Sequence, residues 1–131
     1  MNSKSGYLVN FVSYQGSDTR IFAEYQNVFG KAAVPLLVMF DELEKAKRDL
    51  RFCLYFDNLF TSEHLLNHLK NQGYGAIGTI RENRIPKNCP LPTKDQMKKK
   101  QSGEYSSTLD RTNCTTFIRW NDNNIVTVAS T

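Results

Sequence analysis

Cysteine, histidine and tryptophan are scarce in this chain of 131 residues, which holds three, two and one of them. Cys53, Cys89 and Cys114 are odd in number, and no two stand close enough for a CxxC metal clip or redox pair. That excludes a disulfide framework and fits a reducing compartment. No long apolar run exists either: Val34 to Phe40, with Pro35 inside it, is too short to span a bilayer. The N-terminus lacks a basic stretch leading into an apolar one, so we expect neither a membrane span nor a secretion signal. A phosphate-cradling glycine loop is also missing. Gly73, Gly75 and Gly78 have the GxGxxG spacing but fall before and within an expected strand rather than between a strand and a helix. With 40% hydrophobic and 23% charged residues, the chain is globular in composition and long enough for one core.

Charge of either sign is nearly balanced, at +4 overall, but its placement is uneven. Between Arg81 and Arg111 eight basic residues face four acidic ones, while the rest of the chain balances at nine of each. The whole excess therefore sits in one segment. Such a patch can meet a polyanion such as DNA, or can be a lysine-rich loop kept solvated.

Local patterns give an order of elements. Gly6 to Tyr14 alternates in part and closes on Gln15-Gly16, as a strand and turn do. Ser17 to Gly30 shows no clean period and is expected to be irregular or strand-like. From Val34 to Lys47 the apolar Leu36, Leu37, Phe40, Leu43 and Ala46 recur at helical spacing, with Pro35 in the first turn and Lys45, Lys47 and Arg48 at the end, so an amphipathic helix is expected. The apolar run Phe52 to Phe56 predicts a buried strand that presents Asp57 at its C-terminal end. Thr61 and Ser62 offer capping hydroxyls to a helix with Leu65, Leu66 and Leu69 on one face, and Gly73 stops it. Gly75 to Ile80 reads as a second buried strand. Pro86, Pro90 and Pro92 mark the stretch from Ile85 to Thr93 as extended loop. Three short strands follow, Glu104 to Leu109, Thr115 to Trp120 and Ile125 to Ala129, the last two joined by Asn121-Asp122-Asn123-Asn124. Together these predict an α/β domain with a mixed sheet.

The run Tyr55-Phe56-Asp57-Asn58-Leu59-Phe60-Thr61-Ser62, followed by Gly78-Thr79-Ile80-Arg81-Glu82-Asn83-Arg84, closely resembles the piggyBac transposase family, with its F-D-N-x-F-T-S and G-T-x-R-x-N-R segments. Ser3-Lys4-Ser5-Gly6-Tyr7 resembles the family's D-S-K-x-G-Y, and Arg119-Trp120-Asn121-Asp122-Asn123-Asn124-Ile125-Val126 its W-x-D-N-K-x-V hairpin. The four matches stand in family order from about Ser3 to the C-terminus. The resemblance implies a partial ribonuclease-H-like mixed sheet with flanking helices over residues 1–84, lacking its first strand. It also implies a basic loop and the start of a β-rich insertion over 85–131. Three aspartates in such a fold hold two magnesium ions for phosphodiester cleavage. Asp57 matches the second, as a vestigial catalytic and metal residue; Asn2 stands at the first position, where a neutral amide replaces a carboxylate poorly; the third lies beyond Thr131. Asp41, Glu42 and Asp122 match no ligand position. We therefore expect no magnesium cofactor for this chain, although the parent family uses it.

Other constellations carry less. His64 and His68 share a helix face at zinc-pair spacing, but no glutamate general base lies between them and a plain helix face explains both. Thr61, Ser62 and His64 lack a nucleophile elbow, and capping explains the hydroxyls. Arg81, Arg84 and the run Lys98-Lys99-Lys100 form the expected DNA-binding surface, with Tyr105 placed to stack beside them. The leading expectation is a nuclear, transposase-derived segment that binds DNA weakly and without sequence preference and does not itself cut. One alternative is a truncated part of an active cut-and-paste transposase; another is a domesticated protein-interaction module without DNA binding. A sheet missing its first strand would also expose an edge against the Tyr7 to Tyr14 strand, open to self-association.

Overall fold

In the computed structural model, which describes residues 23–43 and 49–131, the chain divides into two units, Met1–Leu50 and Arg51–Thr131. The described part of the first unit is a pair of helices, α1 (Ala23–Phe29) and α2 (Val34–Asp41). Tyr25 and Phe29, one helical turn apart, bring their rings to 6.1 Å between centroids. Gly30 then takes a left-handed φ of +83° and donates its N–H to the Gln26 carbonyl at 3.0 Å, closing the helix. Residues 23–29 are thus helical where an irregular or strand-like segment was expected, because an i,i+4 aromatic pair and a glycine stop outweigh a weak apolar period. In α2 Pro35 occupies the first turn and Val34 and Leu37 are buried. Every residue of α2 except Asp41 is apolar, so it lacks the polar stripe of the amphipathic helix expected there, and it ends at Asp41 rather than Lys47. Residues 44–48, with Lys45, Lys47 and Arg48, lie outside the described residues, as do 1–22, with the Gly6 to Tyr14 strand and Asn2.

The second unit is built on five strands: β1 (Cys53–Phe56), β2 (Gly75–Thr79), β3 (Tyr105–Asp110), β4 (Thr115–Asn121) and β5 (Ile125–Ser130), in the order β1-β2-β5-β4-β3. β1 and β2 run parallel, with Tyr55 opposite Ile77 and Phe56 opposite Gly78, and helix α3 (Glu63–Asn71) makes the crossover. The remaining pairings are antiparallel, so the sheet is mixed, as expected. Its strands after the proline-rich loop continue the sheet begun by β1 and β2, since β5 pairs directly with β2.

α3 forms where the sequence placed it. The Ser62 hydroxyl accepts the Leu65 N–H at 3.3 Å, and Gly73 leaves the helix at φ +87°. Leu65, Leu66 and Leu69 are fully buried against the sheet. A second short helix, α4 (Lys94–Lys98), was not anticipated. It carries a reciprocal capping box, the Thr93 hydroxyl taking the Gln96 N–H at 3.2 Å while the Gln96 side chain takes the Thr93 N–H at 2.8 Å. Its Met97 is fully buried. Within this unit α3 packs on β2 and β4, and α4 on β4 and β5, so both cover the face formed by Ala76, Gly78, Phe117, Arg119, Thr127 and Ala129.

That one-sided cover corrects the reading of Phe52 to Phe56 as a buried strand. β1 is an edge of the sheet among the described residues, Cys53 is exposed, and Tyr55 is 68% exposed. Leu54 and Phe56 turn to the covered face while Cys53 and Tyr55 turn away, so a continuous apolar run serves a strand with one covered side. Gly75 to Ile80 is better predicted, with Ala76, Gly78 and Ile80 buried. Gly78 has a specific reason to be glycine: an added Cβ would come within 2.7 Å of the Phe56 carbonyl and collide with the Thr61 hydroxyl. The loop after β1 can lie against β2 only because that space is left empty.

Candidate functional site

Asp57 stands where the sequence placed it, at the carboxyl end of β1, and there the chain turns sharply. Its Oδ1 accepts the Leu59 N–H at 2.8 Å, while its carbonyl accepts the Thr61 hydroxyl at 2.8 Å and the N–H groups of Phe60 and Thr61 at 3.3 Å. The side chain thus closes an Asx turn and remains exposed. Thr61, fully buried beneath it, pins the loop to the sheet.

Arginines from the end of β2 reach back to this loop. The Arg81 Nε donates to Asn58 Oδ1 at 3.3 Å. Arg84 places one guanidinium nitrogen, Nη1, on three carbonyls, those of Asn58 at 3.3 Å and of Leu59 and Thr61 at 2.9 Å. Three oxygens gathered on one cation fix the backbone around Asp57. The two most characteristic sequence segments are therefore in contact, and the arginines foreseen as DNA-binding groups hold the aspartate's loop. Arg81 is exposed and Arg84 half-buried.

The turn that carries them, a 3-10 helix over Glu82–Arg84, is anchored from behind. Arg119, on the covered face of β4 and 1% exposed, forms a two-pronged pair with Glu82, Nη2 lying 2.8 Å from Oε1 and 2.7 Å from Oε2. Its Nε donates to the Thr127 hydroxyl at 2.9 Å and its Nη1 to the Pro92 carbonyl at 2.7 Å. No buried side-chain nitrogen or oxygen among the described residues lacks a hydrogen bond. Sequence reasoning missed this anchor. The signal was present, because Thr115, Phe117 and Arg119 share the inward parity of an alternating strand, and an inward arginine demands a carboxylate.

Among the described residues no three His, Cys, Asp or Glu side chains converge as a metal site. Asp41 lies in α2 and accepts the Tyr25 hydroxyl at 3.1 Å, which raises the Tyr25 pKa. Glu42 follows α2, and Asp122 is exposed in the β4–β5 turn. His64 is exposed and His68 half-buried on α3. Lys98, Lys99 and Lys100 are all exposed at the end of α4; Lys98 lies 4.0 Å from Asp95. A separate polar cluster joins α3 to the β3–β4 hairpin. The Asn113 Nδ2 donates to Glu63 Oε1 at 2.7 Å and to Asp110 Oδ2 at 2.9 Å. Burial, then the neighbouring Asp110 carboxyl, raises the Glu63 pKa, whereas N–H donors from Thr112 and Asn113 lower that of Asp110.

Fold and site together define a mixed α/β domain that presents an aspartate, braced by arginines, at the carboxyl ends of its two parallel strands. The family described as Transposase IS4 matches residues 1–131, and the chain belongs to this IS4/piggyBac-type transposase family. It is 34% identical over 125 residues to the human PiggyBac transposable element-derived protein 3, and 30% identical over 125 residues to the human PiggyBac transposable element-derived protein 2. Each alignment covers 95% of this chain and 20% of the relative, so the chain spans about a fifth of the length of these curated relatives. Among solved structures it is similar in fold to a piggyBac transposase in a synaptic complex with hairpin DNA, seen by cryo-EM. That likeness has a TM-score of 0.52 and 24% identity, over 77% of this chain and 22% of the other. Among the described residues no helix is long and apolar enough to cross a membrane.

Proposed function

We propose that this chain is a DNA-associated, ribonuclease-H-like portion of a transposase-derived protein, working in the nucleus, whose own residues do not assemble a cutting centre. The observation that carries DNA association is the exposed run Lys98-Lys99-Lys100, set within the one segment of the chain that holds its excess positive charge. Membership of a transposase family supports it, as does a fold shared with a transposase solved on hairpin DNA. The ribonuclease-H-like reading rests on the parallel β1–α3–β2 unit with Asp57 at its carboxyl end. Asp57 spends one oxygen on the Leu59 N–H, closing a turn of its own loop, which favours a structural over a catalytic role in this chain.

Phosphate contact by lysines makes binding weak, nearly independent of sequence and steeply salt-dependent. The test is fluorescence anisotropy of a labelled duplex across a salt series, for the parent and for a variant with Lys98, Lys99 and Lys100 all replaced by Ala. The variant is expected to bind more weakly, with a salt slope reduced by up to about 3, roughly one per lost phosphate contact. Superimposable curves would remove the DNA assignment and leave a protein-interaction module as the better reading.

A further inference from the structure

Ser102 differs from every other serine and threonine of the chain in what stands before it. Lys99 and Lys100 occupy the third and second positions upstream, and no other serine or threonine has a basic residue at either position. Cations at those two positions are what a serine kinase with carboxylates in its substrate cleft recognises, because each carboxylate needs a partner for the water it gives up.

The fold presents that sequence where a cleft can take it. Residues 99–104 run from the end of α4 at Lys98 to the start of β3 at Tyr105, outside any helix or strand. Lys99, Lys100, Gln101, Ser102 and Gly103 are all exposed, and Gly103 makes the bend at φ +91°. The bend is tied down by the Asn121 Nδ2, which donates to the Lys100 carbonyl at 2.8 Å, and by the Gly103 N–H, which donates to the Asn121 carbonyl at 2.6 Å. Drawing residues 99–103 out as an extended segment breaks these surface bonds and leaves the buried Met97 in place. Other hydroxyls are held where a kinase cannot reach them: Thr61 and Thr115 are buried, and Ser62 caps α3.

The charge of the surrounding stretch is small enough for one phosphate to cancel. From Lys94 to Glu104, Lys94, Lys98, Lys99 and Lys100 stand against Asp95 and Glu104, four minus two, a surplus of +2. A phosphoserine carries about −1.5 to −2 at neutral pH, which brings the stretch close to zero.

We propose that Ser102 is a phosphorylation site for a kinase that reads Lys99 and Lys100, and that its phosphate releases the lysine segment from DNA. In the transfer, Ser102 Oγ bonds to the γ-phosphorus of ATP as the bond to ADP breaks, and the hydroxyl proton passes to the kinase. The second half of the proposal rests on the DNA-association reading above and adds its regulation.

The experiment treats the whole chain with magnesium-ATP and, as probe, the catalytic subunit of the cyclic-AMP-dependent protein kinase, whose cleft has this acidic chemistry. The product is mapped by mass spectrometry. One phosphate is expected, on Ser102, absent in Ser102→Ala. Replacing Lys99 and Lys100 together by Ala should slow its incorporation at least about tenfold, as loss of buried charge pairs does. Phosphate that maps elsewhere, no incorporation, or incorporation indifferent to the two lysines overturns the site. The phosphorylated chain should then bind a labelled duplex at least about tenfold more weakly near 50 mM salt, with a salt slope lower by about 2, one per offset charge. Ser102→Ala should bind as the parent does, before and after kinase treatment. Undiminished binding by the phosphorylated chain overturns the switch; if the triple lysine variant still binds weakly, the DNA reading survives that failure. If neither phosphate nor loss of the lysines changes binding, the DNA reading has failed and the switch with it.

Discussion

Replacing Glu82 with Ala should cost far more stability than its half-exposed position on a surface turn suggests. Its side chain is 51% exposed, but the guanidinium it neutralises belongs to Arg119, whose side chain is 2% exposed. Two charge-assisted bonds, at 2.8 and 2.7 Å, would be lost, leaving Arg119 only the Thr127 hydroxyl and the Pro92 carbonyl. Breaking a fully buried pair from one side costs about 3–5 kcal/mol because a cation is left without its counter-charge. Water can enter the space vacated by a half-exposed glutamate, so a smaller cost than for a fully buried pair, about 2–3 kcal/mol, is expected here. Lys94 supplies the internal control. Its Nζ lies 3.8 Å from the same carboxylate with both side chains about half exposed, so Lys94→Ala should cost under about 1 kcal/mol. Urea denaturation of the parent and both single variants, with a common slope, measures the two values. If Glu82→Ala falls within about 0.5 kcal/mol of Lys94→Ala, the argument that Arg119 is a buried charge dependent on Glu82 is wrong.

Two other outcomes follow from the polar groups. Burial and Asp110 raise the Glu63 pKa above its ordinary 4.5, so ionised Glu63 opposes folding at neutral pH, and that handicap disappears as pH falls and the group protonates. Glu63→Gln, which keeps an acceptor for Asn113, should therefore be the more stable protein at neutral pH and lose its advantage near and below pH 4.5; thermal melts over pH 4–8 that run parallel would contradict this. On catalysis, the chain should show no magnesium-dependent nicking of transposon-end DNA, and cleavage that disappears in Asp57→Ala would refute the non-catalytic reading.

Much of the second unit was legible because local chemistry and global fold agree there. Ser62, the leucine face and Gly73 bound α3 within a residue or so, and the turn-rich Asn121 to Asn124 placed the β4–β5 hairpin. What stayed hidden depends on partners distant in sequence. The run from Phe52 to Phe56 cannot reveal that Cys53 and Tyr55 are exposed while Leu54 and Phe56 are half-buried. Glu82 and Arg119 stand 37 positions apart, and only the folded sheet brings them together. Arg84 illustrates the same point from the functional side. A basic residue in a motif suggests a phosphate, yet its Nη1 is given to three backbone carbonyls of the loop behind Asp57. The short helix α4 was missed although Thr93 and Gln96 have capping-box spacing, because the three prolines before it dominate the reading of that stretch.

The most direct test of DNA association through the lysine segment is residue-resolved: amide chemical shifts of the labelled chain, recorded as a short DNA duplex is added at low salt. The account predicts that the largest changes fall between Lys94 and Tyr105 and fade as salt is raised, with smaller ones at Arg81 beside Asn58. Shifts that are absent, or that gather away from Lys98, Lys99 and Lys100, would contradict it.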